Sequence, residues 1–268
     1  KHREALCSDW KTFRVCGFPP PSSGAIAIAQ ILGILKHLPR HDADQPLENG
    51  LPGANMLHRY TEAARLAFAD RAQYLADPDF VQPPGGDWMS LLEDGYLARR
   101  AALIGERSMQ SAQPGMPGAV KSAWAPQPDQ VEHGTSHISI IDAAGHAVAM
   151  TTSIEDGFGS RQMVHGFLLN NHLTDFSFAP ADATGKPIAN RVEPGKRPRS
   201  SMSPTLVFDQ ASGQLLMSAG SPGGALIIHY TAKTLLGTLA WGLNAQEAIN
   251  LPNFGALNGP ALLEEKRF

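Results

Sequence analysis

The chain has 268 residues, 43% of them hydrophobic, enough to surround a sizeable interior. Its 22 Lys and Arg against 25 Asp and Glu leave a formal net charge of -3, which excludes the overall positive field of a nucleic-acid or anionic-membrane binder and points to a small-molecule partner. No run approaches the roughly 18 apolar residues of a membrane span, and Lys1-His2-Arg3-Glu4 carries no apolar stretch of a secretion signal.

Cys7 and Cys16 flank Ser8-Asp9-Trp10-Lys11-Thr12-Phe13-Arg14-Val15, a pattern that predicts a hairpin turning at Lys11-Thr12. That register sets Cys7 opposite Cys16 on a non-hydrogen-bonded pair, close enough for a disulfide; two reduced thiols packed as small apolar groups are the equal alternative. A bridge would imply an oxidising compartment such as a periplasm. Pro19-Pro20-Pro21-Ser22-Ser23-Gly24 punctuates the chain, and Ile28, Ile31, Leu32 and Leu35 then predict a helix over 25–36, capped by Ser22 or Ser23. A second amphipathic helix is expected over 55–76, stopped by Asp77-Pro78, and a shorter third over 88–103. Residues 105–134 are rich in Pro, Gly, Ser and Gln without periodicity, the composition of a mobile connector.

The pattern changes at Thr135. Residues 136–141 alternate polar and apolar, Asp142-Ala143-Ala144-Gly145 supplies a turn, and 146–154 predict a second strand. Further strands are expected at 166–170, 203–209 and 214–219, the last two joined by Gln210-Ala211-Ser212-Gly213. Gly220-Ser221-Pro222-Gly223-Gly224 leads into an apolar helix over 225–241, and Asn244 with Glu247 forms the capping-box start of one more, ending before Pro252. Helices, antiparallel strands and further helices predict an α+β layered sandwich in which helices cover sheets.

Several tempting motifs fail on context. Ser8-Asp9-Trp10-Lys11 matches a Ser-x-x-Lys nucleophile but falls on a hairpin, and the glycines at 220, 223 and 224 have neither Walker nor dinucleotide spacing. The ten histidines show no metal-ligand spacing, so no metal or other cofactor is expected, and Lys196-Arg197-Pro198-Arg199 reads as a solvated loop. What remains are polar groups bordering strands: Thr135, Ser153, Asn170-Asn171, Asp175, Ser200-Ser201 and Gly223-Gly224. A threonine hydroxyl is a weak nucleophile that needs a base, and its own α-amine serves once the residue becomes N-terminal. Gly134–Thr135 is a cleavable bond of that kind, at a strand start after a connector, with a glycine carbonyl that offers little steric resistance to an N-to-O acyl shift. The backbone N–H groups of Gly223 and Gly224, at a helix start, would hold an oxyanion; an ordinary strand-to-helix turn accounts for the same spacing.

Longer segments now carry a family resemblance. Thr135-Ser136-His137-Ile138-Ser139, Leu168-Leu169-Asn170-Asn171, Asp175-Phe176-Ser177, the run from Gly195 to Pro204, and Gly220-Ser221-Pro222-Gly223-Gly224 resemble the gamma-glutamyltransferases, and Pro19-Pro20-Pro21-Ser22-Ser23-Gly24 resembles a motif of their large subunit. The resemblance runs end to end. It implies a four-layer αββα N-terminal-nucleophile fold, incomplete at both ends, in which 1–134 are the C-terminal part of the large subunit and 135–268 the N-terminal part of the small one, together one structural domain. It implies autocleavage at Gly134–Thr135 and transfer of the γ-glutamyl group of glutathione and related amides to water, an amino acid or a peptide, in a periplasmic or secreted protein. Thr135 would be the nucleophile, Thr151 and Ser153 its neighbours, and Gly223 and Gly224 the oxyanion hole. Ser200 and Ser201 would hold the donor's α-carboxylate, and Glu155, Asn171, His172 and Asp175 would surround its α-amino group, with carboxylates matched to an ammonium. Glu155 stands where many members carry Asn, and His172 where others carry Gln or Glu. The Arg that pairs with the donor carboxylate in the family lies upstream of Lys1. A glutaryl or cephalosporin acylase of the same superfamily, and an inactive fragment, are the rival expectations.

Overall fold

The computed structural model describes residues 1–39, 47–118 and 122–268. At the N-terminus β1 (Leu6–Trp10) and β2 (Phe13–Gly17) form the expected hairpin, with Trp10 opposite Phe13 and Cys7 opposite Cys16. Lys11 takes the positive φ (55°) that a tight hairpin turn demands. The two cysteines are joined in a disulfide across Cα atoms 4.0 Å apart.

The first predicted helix is α1 (Gly24–His37), which buries Ile26, Ile28, Ile31, Leu32 and Ile34 almost completely. Each such side chain contributes about 1.5–3 kcal/mol when taken from water. Ser23 stands at the cap position, but its side chain makes no cap hydrogen bond; the hydroxyl is committed elsewhere, as described below. After the short pair β3 (Leu47–Glu48) and β4 (Leu51–Pro52), α2 (Ala54–Tyr74) runs antiparallel strips of small residues, Ala63, Ala64 and Ala67, into the core. The single helix expected over 88–103 is divided: a 3-10 segment (Trp88–Leu92) and α3 (Asp94–Ala101) meet at Glu93, whose extended backbone (ψ 133°) interrupts the hydrogen-bond ladder.

From 105 to 133 the described chain is irregular but anchored, and residues 119–121 of the expected connector lie outside the described residues. Gly115 N–H donates to Asp70, Gln127 N–H to the Ala72 carbonyl, and Ala125 bridges Ile188. Then β5 (Gly134–Ile141) and β6 (Ala147–Glu155) pair antiparallel. The strand expected at 166–170 is reduced to a two-residue pair, β7 (Met163–Val164) with β8 (Phe167–Leu168). The strands β9 (Thr205–Asp209) and β10 (Leu215–Ala219) follow as expected, then a 3-10 turn (Gly224–Leu226) opening α4 (Ile227–Leu239) and the capping-boxed α5 (Ala245–Asn250). A last pair, β11 (Phe254–Gly255) and β12 (Leu262–Leu263), closes the chain.

The sheet order β1-β2-β9-β10 is set by β2 pairing with β9. Val15 and Val207 on one face of this sheet pack with α1, α2 and α4 in one core. Met217 joins that core, whereas the next residue, Ser218, reaches the β5–β6 hairpin through Ser139 Oγ and the Val148 carbonyl. Alternation along a strand therefore places the hairpin on the sheet's other face. The molecule is α+β, with helices on one side of an antiparallel sheet and a second antiparallel layer on the other. Among the described residues no helix is long and apolar enough to cross a membrane.

Candidate active site

Thr135 lies where the β5–β6 ladder is irregular. Gly134 pairs with Glu155 and Ser136 with Thr152, so Ser153 and Ile154 together oppose Thr135. The bulge sits on β6 and turns Ser153 towards the main chain before Thr135. Ser153 Oγ donates to the Gly134 carbonyl at 2.5 Å while accepting the Glu155 N–H at 2.7 Å. Glu155 is buried, with φ at 74°, a left-handed conformation costly for a residue with a side chain and concentrated at functional sites. Its carboxylate accepts the His133 N–H at 3.1 Å.

A cationic seat lies beside this bond. Arg71, near the end of α2, donates through Nη2 to Glu132 Oε1 at 2.8 Å and to the Ser201 hydroxyl, and through Nε to Ser23 Oγ at 2.9 Å. Ser201 Oγ in turn donates to Glu132 Oε2. The proline-rich motif builds the seat's floor: Ser23 donates from both N–H and Oγ to the Ser200 carbonyl, and Ser22 Oγ to the Met202 carbonyl. Ser200 Oγ accepts the Met202 N–H, which fixes the turn that aims both serines. Arg199 is buried nearby; burial first and Arg71 second push its pKa down to about 9. Burial favours neutral Glu132, but Arg71, Arg199 and the bonds from Ser201 and Arg71 outweigh it and hold the carboxyl below its usual range.

The opposite end of the cleft is acidic. Glu155, His172 and Asp175 each bring one ligand atom within 4.8 Å of the others. His172 and Asp175 share a 3-10 turn (His172–Asp175), so residues distant in sequence from Glu155 converge on it. Burial, then Glu155 and Glu132, push the Asp175 carboxyl up to about 7 against Arg199 and Arg71. Burial lowers the His172 pKa, opposed by Glu155. Such a set suits an ammonium ion, and its donors are also of the kind that hold a divalent cation, a grouping that histidine spacing along the chain does not show.

Of the residues singled out by sequence, Thr135, Ser153, Glu155, His172, Asp175, Ser200, Ser201 and Gly224 line one cleft, together with Glu132 and His133. Five stand outside its lining, among them Asn170, whose Oδ1 accepts the His172 N–H at 3.1 Å. Gly134 contributes its carbonyl to Ser153; Thr151 Oγ1 pairs with His137 Nδ1 at 2.8 Å; Asn171 Oδ1 accepts the Asp156 N–H at 2.9 Å, which makes it a loop brace; and Gly223, at φ 135°, forms the turn before Gly224. Arg71, Glu132, His133 and Arg199 are the site residues that sequence reasoning missed, Arg199 being buried where a solvated loop was expected. The available signal was the adjacent Asp70-Arg71 pair in a helix that buries several charged residues, Glu62 and Arg65 among them.

The α+β fold is that of the N-terminal-nucleophile hydrolases. The chain superposes over 99% of its length, with a TM-score of 0.79 and 24% identity, on 43% of a cephalosporin acylase from Bacillus halodurans. The model of the gamma-glutamyltranspeptidase family matches residues 1–266, and the chain belongs to that family. A glutathione hydrolase proenzyme of Pseudomonas sp. (strain A14) is 36% identical over 256 residues, 92% of this chain and 40% of its own. An acylase ACY 1 proenzyme of Pseudomonas sp. (strain V22) is 29% identical over 265 residues, 98% and 42% of the two chains. The chain thus spans about two fifths of the length of these relatives.

Proposed function

We propose that this chain carries the catalytic centre of a γ-glutamyl hydrolase and transpeptidase that matures by cleaving its own Gly134–Thr135 bond. Thr135 Oγ attacks the Gly134 carbonyl carbon, with Ser153 stabilising the developing oxyanion; the C–N bond breaks to give an ester and a free α-amine, and water hydrolyses the ester. The freed amine then takes the Thr135 hydroxyl proton as the oxygen attacks a γ-glutamyl amide. The departing amine leaves protonated, and water or an acceptor amine releases the glutamyl group. Gly223 and Gly224 N–H groups are the proposed oxyanion donors, Thr151 acts through His137 on the strand that carries Thr135, and the two halves, 1–134 and 135–268, stay together as subunits of one four-layer domain. Periplasmic or secreted placement accords with the Cys7–Cys16 disulfide.

The observation that carries this reading is the cleft's two signs. Ser200 and Ser201, the latter bonded to Arg71 behind the lining, suit a carboxylate, and Glu155 with Asp175 in the same cleft suit an ammonium, the two charges of an α-amino acid's head. A glutaryl donor lacks the ammonium and would leave the acidic end uncompensated; the acylase relatives are the reason to test it. Comparing hydrolysis of γ-glutamyl and glutaryl anilides decides: faster release from the glutaryl compound refutes the glutamyl assignment. Recovery of uncut protein from active preparations, without a Thr-Ser-His N-terminus, refutes the maturation step.

A further inference from the structure

Three consecutive residues ahead of Thr135 are each pinned by a different group. The Glu132 carboxylate takes Arg71 and Ser201, the His133 N–H takes Glu155, and the Gly134 carbonyl takes Ser153. Glu132 also covers the glycine turn with its main chain: a Cβ on Gly224 would lie 2.3 Å from the Glu132 carbonyl oxygen. One residue of the uncut chain therefore fills both the Arg71–Ser201 seat and the approach to Gly224. Its own chemistry is that of a glutamyl group, a carboxylate and an acyl carbonyl on one short frame. Arg71 is turned onto this residue by Ser23, which takes its Nε, while Glu132 and Ser201 share its Nη2.

We propose that Glu132 is a built-in occupant of the donor seat, holding the connector so that the Gly134 carbonyl meets Ser153 before cleavage and excluding donor carboxylate until it leaves. The second half of this statement rests on the donor assignment given under Proposed function; the first half does not. Glu132 is a positioning residue, since it touches neither the scissile carbonyl nor the attacking hydroxyl. The fit is directional: a carboxylate two residues ahead of Gly134 reaches the Arg71 guanidinium while the main chain stays extended into β5.

The test uses the full-length chain that contains these residues and follows the appearance of the Thr135 N-terminus by mass. E132A should cleave at least about tenfold more slowly, the loss expected from removing charge-assisted hydrogen bonds that hold a reacting segment. Formate, small enough to enter the space, should restore part of the rate in E132A but not in E132Q, whose amide still fills the seat. E132Q, checked for an unchanged circular-dichroism spectrum, should also be slow, which separates lost positioning from lost folding. In the uncleavable T135A background, calorimetry with L-glutamate should show at least about tenfold tighter binding once E132A is added. Parent-like cleavage of E132A and E132Q, or slow cleavage indifferent to formate, overturns the positioning role; equal glutamate binding by T135A and T135A/E132A overturns the exclusion role. If the cleaved parent enzyme itself does not bind glutamate, the donor assignment fails instead, and the cleavage measurements still decide what Glu132 does.

Discussion

Replacing Arg71 by Met tests the junction between the connector and the core. The Arg71 and Glu132 side chains are 6% and 12% exposed, so removing the cation leaves an anion largely out of water with only Ser201 bonded to it and Arg199 as the remaining charge nearby. Asp175 adds a second anion within reach of Glu132, and breaking a buried pair in this one-sided way costs about 3–5 kcal/mol. Part of that cost is charge-dependent and part, from the bond to Ser23 and the Phe68 ring 5.2 Å from the guanidinium, is not. The sign with pH follows from Glu132. Its folded pKa is depressed below an unfolded value of about 4.3, so the stabilisation it draws from Arg71 is present above that value and is lost as pH falls through the folded pKa. R71M in a T135A background, which keeps one covalent species, should therefore lose about 3–5 kcal/mol of unfolding free energy at pH 7, and about 1.5–3 kcal/mol less near pH 3. Denaturant titrations at both pH values measure it, and a cycle with E132Q should show a coupling energy of about 1.5–3 kcal/mol at pH 7. An equal loss at both pH values with no coupling would refute the pairing.

Other consequences are equally specific. S153A removes the hydroxyl that donates to the Gly134 carbonyl and should slow appearance of the Thr135 N-terminus by about 100- to 1,000-fold, the usual loss for one oxyanion donor; unchanged cleavage would show that this bond has no part in the step. Under the glutamyl reading Asp175 must be ionised to meet the donor's ammonium, so kcat/KM for a γ-glutamyl donor should rise with pH; in the uncut chain burial, Glu155 and Glu132 push that carboxyl up to about 7. Departure of Glu132 removes one of the charges raising Asp175, so the midpoint should fall below 7 after cleavage, and D175N should flatten the rise; an identical profile in D175N would dispose of the assignment. Replacing both Cys7 and Cys16 by Ala should lower stability by about 2–3 kcal/mol, the loop-closure value for so short a loop, without altering the cleavage site; no change in the denaturation midpoint would argue against that contribution. G224A should hinder the uncut arrangement, since a Cβ there meets the Glu132 carbonyl and φ is +56°, and normal processing of G224A would contradict the close approach.

Local chemistry made much of the fold legible. The β1–β2 register followed from turn position and alternation, and the Asn244–Glu247 capping box formed with both reciprocal bonds. One expectation held in position only, and one failed, both for tertiary reasons. Ser23 has a cap residue's identity and position, yet its hydroxyl bonds Ser200 and Arg71, partners 177 and 48 residues away, which no local rule weighs against an N-cap. The helical periodicity of 88–103 is real, but Glu93 breaks it where a 3-10 segment gives way to α3, and Ser90 meanwhile bonds the Pro84 carbonyl.

The site was legible as an inventory of hydroxyls and carboxylates, not as a geometry. Nothing in Thr151, Thr152 and Ser153 as a string says which hydroxyl meets the Gly134 carbonyl. The two-against-one bulge opposite Thr135 makes that choice, and it depends on Glu155 accepting a left-handed backbone where β6 ends. Arg71 and Glu132 were invisible for a related reason. Each is unremarkable alone, a helix arginine and a connector glutamate, and their partnership crosses 61 residues. Read from the helix, though, Arg71 needed an anion: a guanidinium buried beside Phe68 and α1 is costly without one. Asp70, one residue earlier, is already taken by Arg100, Tyr96 and Gln30. Glu132 meets that need, its Oε1 2.8 Å from Arg71 Nη2.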